Sequence, residues 1–329
     1  MIFAAMLFTL AITGTLWLCR LIYYRVSVHH CIVWDSEVER ECNIWWEKHQ
    51  SLLAFNEICL MGPSGCHALD WIRLLRREQR TPAVRQEAGG RTLRLARTFS
   101  ADVSEREQQL AYALVLQWQK EHQGPVPPLA GCFWLGSDDA WRAFCSQMSI
   151  SFPDALLPAS AEPWQGEATL SRIAASLRAD EQRHFLVAGC RSCPPAHDSA
   201  LPAGESAVLW LIGAKGDVVM PRGEVFDASA NEALKEVCER AVKQSGLEAA
   251  PDDCLLFAHA HLPALAGCSW NINQHHQDNY WGEVGDMEPL VVISLAAILA
   301  RQQNQPCGWI APDPQHTFAL GIVKPHGKG

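Results

Sequence analysis

The sequence lacks an excess of positive charge. It contains 27 lysines and arginines against 36 aspartates and glutamates, which gives a formal net charge of −9 at pH 7. A protein that binds nucleic acids generally needs a basic surface, because binding must displace the counterions of the phosphates. The charge balance argues against that class of protein, and we expect no nucleic-acid partner.

The composition also lacks the signature of a disordered chain. Hydrophobic residues make up 48% of the 329 residues, and charged residues make up 19%. Such a chain can bury a packed core. Its length is sufficient for one large domain or two ordinary ones.

The apolar N-terminal run lacks the features of a cleaved signal peptide. Residues 1–19 carry no charge, and Arg20 and Arg25 follow the run. A signal peptide would have positive charge before the run and a small-residue cleavage site after it. About 20 apolar residues cross a bilayer, and Tyr23 and Tyr24 suit its interface. We predict an uncleaved single-pass anchor over residues 1–25 in a bacterial inner membrane, with the body in the cytoplasm by the positive-inside rule.

The cysteines lack the spacing of a disulfide framework. There are thirteen of them, an odd number scattered along the chain. Several have apolar neighbours, such as Cys238 within a predicted helix and Cys254 at the start of a predicted strand. We therefore expect reduced, buried thiols, which agrees with a body that faces the cytoplasm.

Residues 26–98 are predicted to be a mainly helical, arginine-rich region with a linker. Apolar and charged residues alternate at helical spacing over residues 35–61, a Gly-Pro-Ser-Gly turn follows, and a second helix is expected around residues 66–80. Arginines that could contact anionic lipid head groups lie in and after this helix: Arg73, Arg76, Arg77 and Arg80. The alternative is a solvated helix face with ordinary ion pairs.

Residues 99–329 are predicted to form a layered α/β domain. Ser104 with Glu107, and Ser229 with Glu232, have the spacing of capping boxes at two helix starts. Continuous apolar runs at 184–190 and 206–214 indicate buried strands, and residues 287–302 indicate a buried helix. Continuously apolar strands that alternate with helices indicate a sheet covered on both faces.

The order of these motifs resembles the second half of the thiolase-like fold, as in β-ketoacyl synthases. The motifs that carry the resemblance are "FLVAGC" at 185–190, "GESAVLWLIG" at 204–213, "CLLFAHAH" at 254–261 and "GEVGDMEPLVVISLAAILARQ" at 282–302. The resemblance covers residues 168–325. It implies a thiolase-like layered α/β/α body with a degenerate N-terminal half.

The resemblance also implies a nucleophile that this sequence does not have. The family attacks with a cysteine at the start of a buried helix before the Ala-Gly strand. No cysteine lies between Cys145 and Cys190, and Ser160 is the nearest hydroxyl. A nucleophile needs an activating environment, which Ser160 lacks. The resemblance thus implies a pseudo-enzyme, with no catalytic residue and no cofactor expected.

A C-x-x-C motif allows two interpretations. Cys190 and Cys193 are followed by two prolines, which prevent the helix that a redox motif needs. The pair could be two thiols at a strand end, or it could form a zinc or copper clip with His197.

The histidine-rich segments "FAHAH" (257–261) and "QHHQDNYWGEVGD" (274–286) leave three alternatives open. His259 and His261 could bind zinc together with His275 or His276. His259 and His276 could instead form an acid–base site. The third alternative is a loop that shapes the fold or binds a partner, with the following residues as its contacts: His261, His275, Asp278, Tyr280, Trp281, Gly282 and Gly285.

The leading functional hypothesis is a non-catalytic, membrane-anchored adaptor that binds or delivers a partner protein. The apolar start and the degenerate α/β body also resemble accessory proteins encoded beside type VI secretion lipase effectors. That resemblance implies a secreted lipase effector or a spike protein as the partner. The alternative is an acyl-transfer or hydrolytic enzyme that uses His259 and the 274–286 loop, with or without a metal.

Overall fold

The computed structural model describes residues 2–49, 52–96, 98–230, 232–257, 265 and 267–326. The chain divides into two compact units, Met1–Gln50 and Ser51–Gly329.

The first unit contains one long helix, α1 (Ile2–His49). The helix continues well past the predicted end of the anchor at residue 25. It includes the acidic stretch that follows, where Arg40 pairs with Glu37 at 2.7 Å. Across the part of the chain that the structure describes, no helix combines the length and the apolar content of a membrane span. The anchor therefore stays a prediction.

The second unit alternates helices and strands. Its helices are α2 (Ala68–Leu75), α3 (Val103–Glu121), α4 (Asp138–Ser151), α5 (Glu167–Ala179), α6 (Leu234–Gln244), α7 (Asp278–Trp281) and α8 (Glu288–Gln303). Its strands are β1 (Leu52–Met61), β2 (Arg85–Glu87), β3 (Gly90–Thr92), β4 (Leu129–Leu135), β5 (Glu162–Pro163), β6 (His184–Ser192), β7 (Glu205–Gly213), β8 (Val218–Pro221), β9 (Glu224–Phe226), β10 (Asp253–Leu256), β11 (His275–His276), β12 (Cys307–Pro312) and β13 (Phe318–Pro325).

Eleven strands form one mixed sheet, in the order β11-β10-β12-β13-β8-β1-β7-β6-β4-β5, with β9 paired to β13. The interior strand β1 corrects the prediction of a mainly helical region over residues 26–98. It pairs antiparallel with β7, where Cys59 lies opposite Leu209, and with β8, where Leu53 lies opposite Met220. Pairing on both edges and burial of its apolar side chains decide the structure of this segment, because such tertiary contacts override a local helical pattern.

Helices cover both faces of the sheet, as predicted. Helix α8 lies in the largest apolar cluster together with residues of α2 and α5, whereas α3 and α4 pack against the other face of β4, β6 and β7. Helix α6 packs on β10, β12 and β13 in a third cluster. Ser294 fixes α8 in this core, because its hydroxyl accepts a hydrogen bond from Trp210 Nε1 at 2.7 Å and donates to the Leu290 carbonyl.

Two predicted capping boxes are wrong. Asp102, not Ser104, caps α3, and its carboxylate accepts a hydrogen bond from the Glu105 amide at 2.9 Å. Helix α6 begins at Leu234, beyond the predicted Ser229 cap. Ser229 donates to Asp227 instead, and Glu232 is engaged by Arg240. Asp102 therefore replaces the predicted cap of α3, whereas α6 starts after Ala233 without a side-chain cap.

Candidate functional site

The start of α5 is the place where the resemblance predicts a nucleophile. The residue that precedes the helix is Gly166, with φ 60° and ψ −135°, and the first helical residue is Glu167. This backbone conformation is almost confined to glycine. Ser160 is exposed and lies before β5. No cysteine or serine therefore stands at this helix start.

A carboxylate of the same chain caps this helix start. The Glu167 amide donates to Asp313 Oδ2 at 3.0 Å, and the other oxygen of Asp313 accepts from the Gln315 amide and contacts His316 Nδ1, both at 3.0 Å. A Cβ atom added to Gly166 would lie 2.2 Å from Asp313 Oδ2. Amides at a helix start can stabilise an anion or a developing oxyanion. Here the Glu167 amide already has an anionic partner.

The side chain of Glu167 is buried beneath this turn. One carboxyl oxygen accepts a hydrogen bond from Ser171 at 3.1 Å, and the other lies against the backbone of Gly223. Burial raises the pKa of Glu167 to about 7 and the charge of Asp313 adds to this, whereas the Ser171 hydrogen bond and the charge of Arg222 oppose it. The carboxyl group thus holds its proton over much of the range below neutral pH.

A cavity of about 450 Å³ opens beside the helix start. Its wall is formed by Leu135, Trp164, Gly285, Asp286, Glu288, Pro289, Pro312, Asp313 and Pro314. None of these lining residues is basic, and three of them carry a carboxylate. The cavity therefore combines apolar walls with negative charge.

Neither His275 nor His276 lines this cavity. His259 and His261 lie outside the described residues. His275 and His276 form the edge strand β11, which pairs parallel with β10. His275 Nε2 lies 3.1 Å from Asp253 Oδ1, and His276 Nε2 lies 2.7 Å from the Ile272 carbonyl oxygen. Both imidazole rings therefore lie within hydrogen-bonding distance of groups of the same chain.

The rest of the 274–286 loop turns into the core. Asp278 begins the short helix α7, and the buried ring of Trp281 stacks on Trp71 with centroids 5.1 Å apart. The carbonyl of half-buried Tyr280 accepts from Ser64 at 3.2 Å.

The two turn glycines of this loop have positive φ. Gly282 has φ 67° and Gly285 has φ 55°. A Cβ on Gly282 would lie 2.2 Å from the Pro202 carbonyl oxygen, so this turn requires glycine. Gly285 and Asp286 are the residues by which the loop reaches the cavity wall.

The C-x-x-C thiols are buried and inert. Cys190 in β6 donates to the Glu107 carbonyl at 3.4 Å, and burial raises the pKa of Cys193 to about 11. His197 is exposed. Within the residues that the structure describes, no group of three or more His, Cys, Asp or Glu side chains could hold a metal ion.

The four predicted lipid-contact arginines are exposed: Arg73, Arg76, Arg77 and Arg80. Two of them contact other parts of the unit. The guanidinium group of Arg77 donates to the Gln274 carbonyl, and Arg76 donates to the Gln302 amide oxygen. These contacts join the end of α2 to the histidine-rich loop and to α8.

Sequence reasoning missed a buried ion-pair network. Glu205 is inaccessible to solvent; it accepts from Arg106 Nε at 2.7 Å and lies 3.5 Å from Arg94. Ser192 and Thr98 each donate to it at 2.8 Å. No local pattern reveals this network, because its members are far apart in sequence.

The acid at the start of α5 was also missed. The structure begins α5 at Glu167, one residue after Gly166. A glycine followed by an acidic residue before the apolar stripe was the available signal, because acidic residues favour the first turn of a helix.

Comparison with known proteins identifies a fold and no close relative. No family model matches the sequence, and no curated protein matches it. The ishigamide ketosynthase/chain length factor structure is 12% identical with a TM-score of 0.56, over 84% of this chain and 99% of that one. A ketosynthase from module 1 of the bacillaene synthase of Bacillus amyloliquefaciens is 10% identical with a TM-score of 0.60, over 85% and 77%.

A third structure, an oxazolomycin ketosynthase domain of Streptomyces albus, is 14% identical with a TM-score of 0.52, over 84% of this chain and 96% of that one. At such low identity the likeness concerns the fold alone. It extends beyond residues 168–325, because that range is less than 84% of the chain. The protein therefore has the thiolase-like fold of the ketosynthases. The structural likeness includes residues before 168, where the sequence motifs showed no resemblance.

Proposed function

We propose that this protein is a non-catalytic member of the thiolase-like fold that binds a partner protein as an adaptor or scaffold. One observation carries the proposal. Gly166 and Glu167 lie at the helix start where a nucleophile is expected, and the Glu167 amide is hydrogen-bonded to the Asp313 carboxylate. Covalent catalysis needs an activated nucleophile, and an oxyanion needs unoccupied donors. A scaffold that lacks both retains its surfaces as its functional parts.

The cavity beside α5 is the part of the surface best suited to a partner. Proline and aromatic walls favour an apolar side chain, and the carboxylates of Asp286 and Glu288 favour a neighbouring lysine or arginine. We therefore propose that the partner inserts a segment in which an apolar residue adjoins a basic one.

The cellular setting is part of the same proposal. Residues 1–25 anchor the protein in the inner membrane with the body in the cytoplasm, and the arginines at 73–80 contact anionic lipids. The partner is a secreted lipase effector or a spike protein of a type VI secretion system. This part rests on the resemblance of the apolar start and the degenerate α/β body to the accessory proteins encoded beside such effectors.

The test is capture of partners from native membranes with tagged full-length protein. An Asp286→Asn/Glu288→Gln variant removes two charges from the cavity wall. An Asp252→Asn/Glu248→Gln variant removes two exposed charges elsewhere and serves as the matched control. We expect the cavity variant to lose its main partner at least tenfold and the control to retain it. Equal capture by both variants would show that the cavity does not dock the partner.

One observation favours an enzyme that transfers or hydrolyses acyl groups. Glu167, with a pKa of about 7, has the proton affinity of a general acid–base group, and its amide contacts a residue of the cavity wall. In this alternative, His259 and the 274–286 loop supply further groups. Covalent labelling of the full-length protein by an acyl-thioester analogue, or stoichiometric zinc in the purified protein, would overturn the adaptor proposal. We expect neither.

A further inference from the structure

Two thiols meet between α6 and the turn that precedes the histidine-rich loop. Cys238 Sγ lies 3.7 Å from Cys268 Sγ, within hydrogen-bonding distance for sulfur. The two residues are 30 positions apart in the chain, and they come from elements that pack in the same apolar cluster. The arrangement differs from that of Cys190, whose thiol donates to a backbone carbonyl.

The pair has an accessible member and an inaccessible one. Cys238 is fully buried in α6, whereas Cys268 is half-buried and follows Gly267 in a turn. A hydrogen bond from Cys238 lowers the pKa of Cys268, and the backbone of Trp270 adds to this against the effect of burial. Cys268 is thus the thiol that a reagent reaches, and a lowered pKa makes more of it the reactive thiolate.

The turn around Cys268 can supply the movement that a bond requires. A disulfide needs the sulfur atoms about 2.05 Å apart, so the observed separation must shorten by roughly 1.6 Å. Gly267 has φ 97°, and among the residues that the structure describes no atom lies within 4 Å of a Cβ added to it. Helix α6 is packed and need not move.

We propose that Cys238 and Cys268 are a modification site at which small-molecule disulfides such as oxidised glutathione form a reversible intramolecular disulfide. The Cys268 thiolate attacks oxidised glutathione; a bond forms to one glutathione sulfur, and the second glutathione leaves as a thiolate. Cys238 then loses its proton to that thiolate and attacks Cys268 Sγ, which expels the first glutathione. Two protein thiols are oxidised, and one oxidised glutathione is reduced to two thiols.

The second step is favoured by the first. The hydrogen bond to Cys268 is the largest cause that raises the pKa of Cys238, ahead of burial. When Cys268 becomes a mixed disulfide, it no longer carries a negative charge. Its hydrogen bond then no longer raises the pKa of Cys238. Cys238 can then lose its proton more readily, although burial continues to disfavour the thiolate.

The disulfide would tether α6 to the turn that leads into β11. It would restrain residues 268–276 and so the start of the 274–286 loop, whose far end reaches the cavity. The inference does not depend on the adaptor proposal, because it concerns the chemistry of two thiols in the folded unit.

The test uses the full-length protein in mixtures of reduced and oxidised glutathione. Free thiols are blocked by alkylation, and the digest is analysed without reduction by mass spectrometry. We expect a peptide pair linked through Cys238 and Cys268 whose yield rises with the share of oxidised glutathione and falls when dithiothreitol is added. A Cys238→Ala variant should stop at a glutathione adduct on Cys268.

A matched control is Cys145→Ser, which removes another half-buried thiol and should leave the linked pair intact. A Cys268→Ser variant should show neither the adduct nor the link, and its half-buried position makes it the variant that folds most readily. The proposal is overturned if wild-type Cys268 stays as a glutathione adduct with Cys238 free, or if both thiols remain reduced at every ratio.

Discussion

At the scale of single residues, Gly166 fixes the backbone at the helix start where the resemblance predicts a nucleophile. Its φ of 60° lies in the left-handed region, where side chains other than glycine cost of order 1–3 kcal/mol. The carboxylate of Asp313 occupies the space that a Cβ atom would fill. Conformation and space therefore both require glycine at this position.

A Gly166→Ala variant should be destabilised by about 2–4 kcal/mol, because backbone strain and a contact with Asp313 act together. Urea unfolding measures the loss. The matched control is Gly124→Ala, at φ 95° with no atom within 4 Å of the added Cβ, where strain acts alone. If both variants lose the same free energy, Asp313 does not restrict the site.

Glu167 predicts a dependence of stability on pH. Its native pKa of about 7 lies above the ordinary value of 4.5, so between these values the native state retains a proton that the unfolded chain has lost. The stabilisation is complete below pH 4.5 and is lost as pH rises through 7. A Glu167→Gln variant should match the wild type near pH 4 and be more stable by about 3 kcal/mol at pH 8.

Urea unfolding at several pH values tests this expectation. Glu248→Gln, the same change at an exposed position, should follow the wild type throughout. A wild type that is as stable at pH 8 as its Gln variant would show that the burial of Glu167 does not raise its pKa.

At the scale of elements, the network around Glu205 holds α3 against the sheet. Arg106 in α3 and Arg94 after β3 both contact this carboxylate at the start of β7. Without Arg94 the buried Glu205 carboxylate keeps Arg106 but loses part of its charge compensation, and the Cys193 carbonyl loses a donor. Both effects cost more than loss of an exposed ion pair.

An Arg94→Met variant should therefore lose about 3–5 kcal/mol of unfolding free energy in a thermal or urea titration. Arg142→Met provides the control, since Arg142 is 75% exposed and pairs with its neighbour Asp139, and it should change stability by less than about 1 kcal/mol. If both variants lose a similar amount of unfolding free energy, the Glu205 network contributes no more to stability than an exposed ion pair.

The elements themselves were largely predictable where the pattern was local. Helix α8 and strands β6 and β7 follow from continuous apolar runs, and so does the layered arrangement. Strand β1 was not predictable, because its apolar residues also fit a helix and its two partner strands lie more than 140 positions away. The contact of Asp313 with the start of α5 was not predictable for the same reason, because the two residues are 146 positions apart and no local pattern connects them.

At the scale of the whole molecule, the division after Gln50 makes a prediction about stability. The core clusters, the sheet and the site all lie within Ser51–Gly329. A chain that begins at residue 51 should therefore melt within about 2 °C of the full-length protein, as measured by circular dichroism. It should also leave the membrane fraction, because it lacks the predicted anchor.

These two readouts separate two claims. If the shortened chain keeps its melting temperature but stays with the membrane, residues 51–329 fold as an independent unit and residues 1–25 are not the membrane anchor. A large fall in melting temperature would show that the first 50 residues contribute to the fold of the second unit.

The carboxylate that caps α5 also bears on how this chain could change over time. A cysteine introduced at residue 166 would meet Asp313, and removing Asp313 alone would leave the Glu167 amide and His316 without this acceptor. Each single change is therefore unfavourable, and a nucleophile at this helix start requires both changes at once. The contact between Asp313 and the start of α5 thus makes this position resistant to any single substitution.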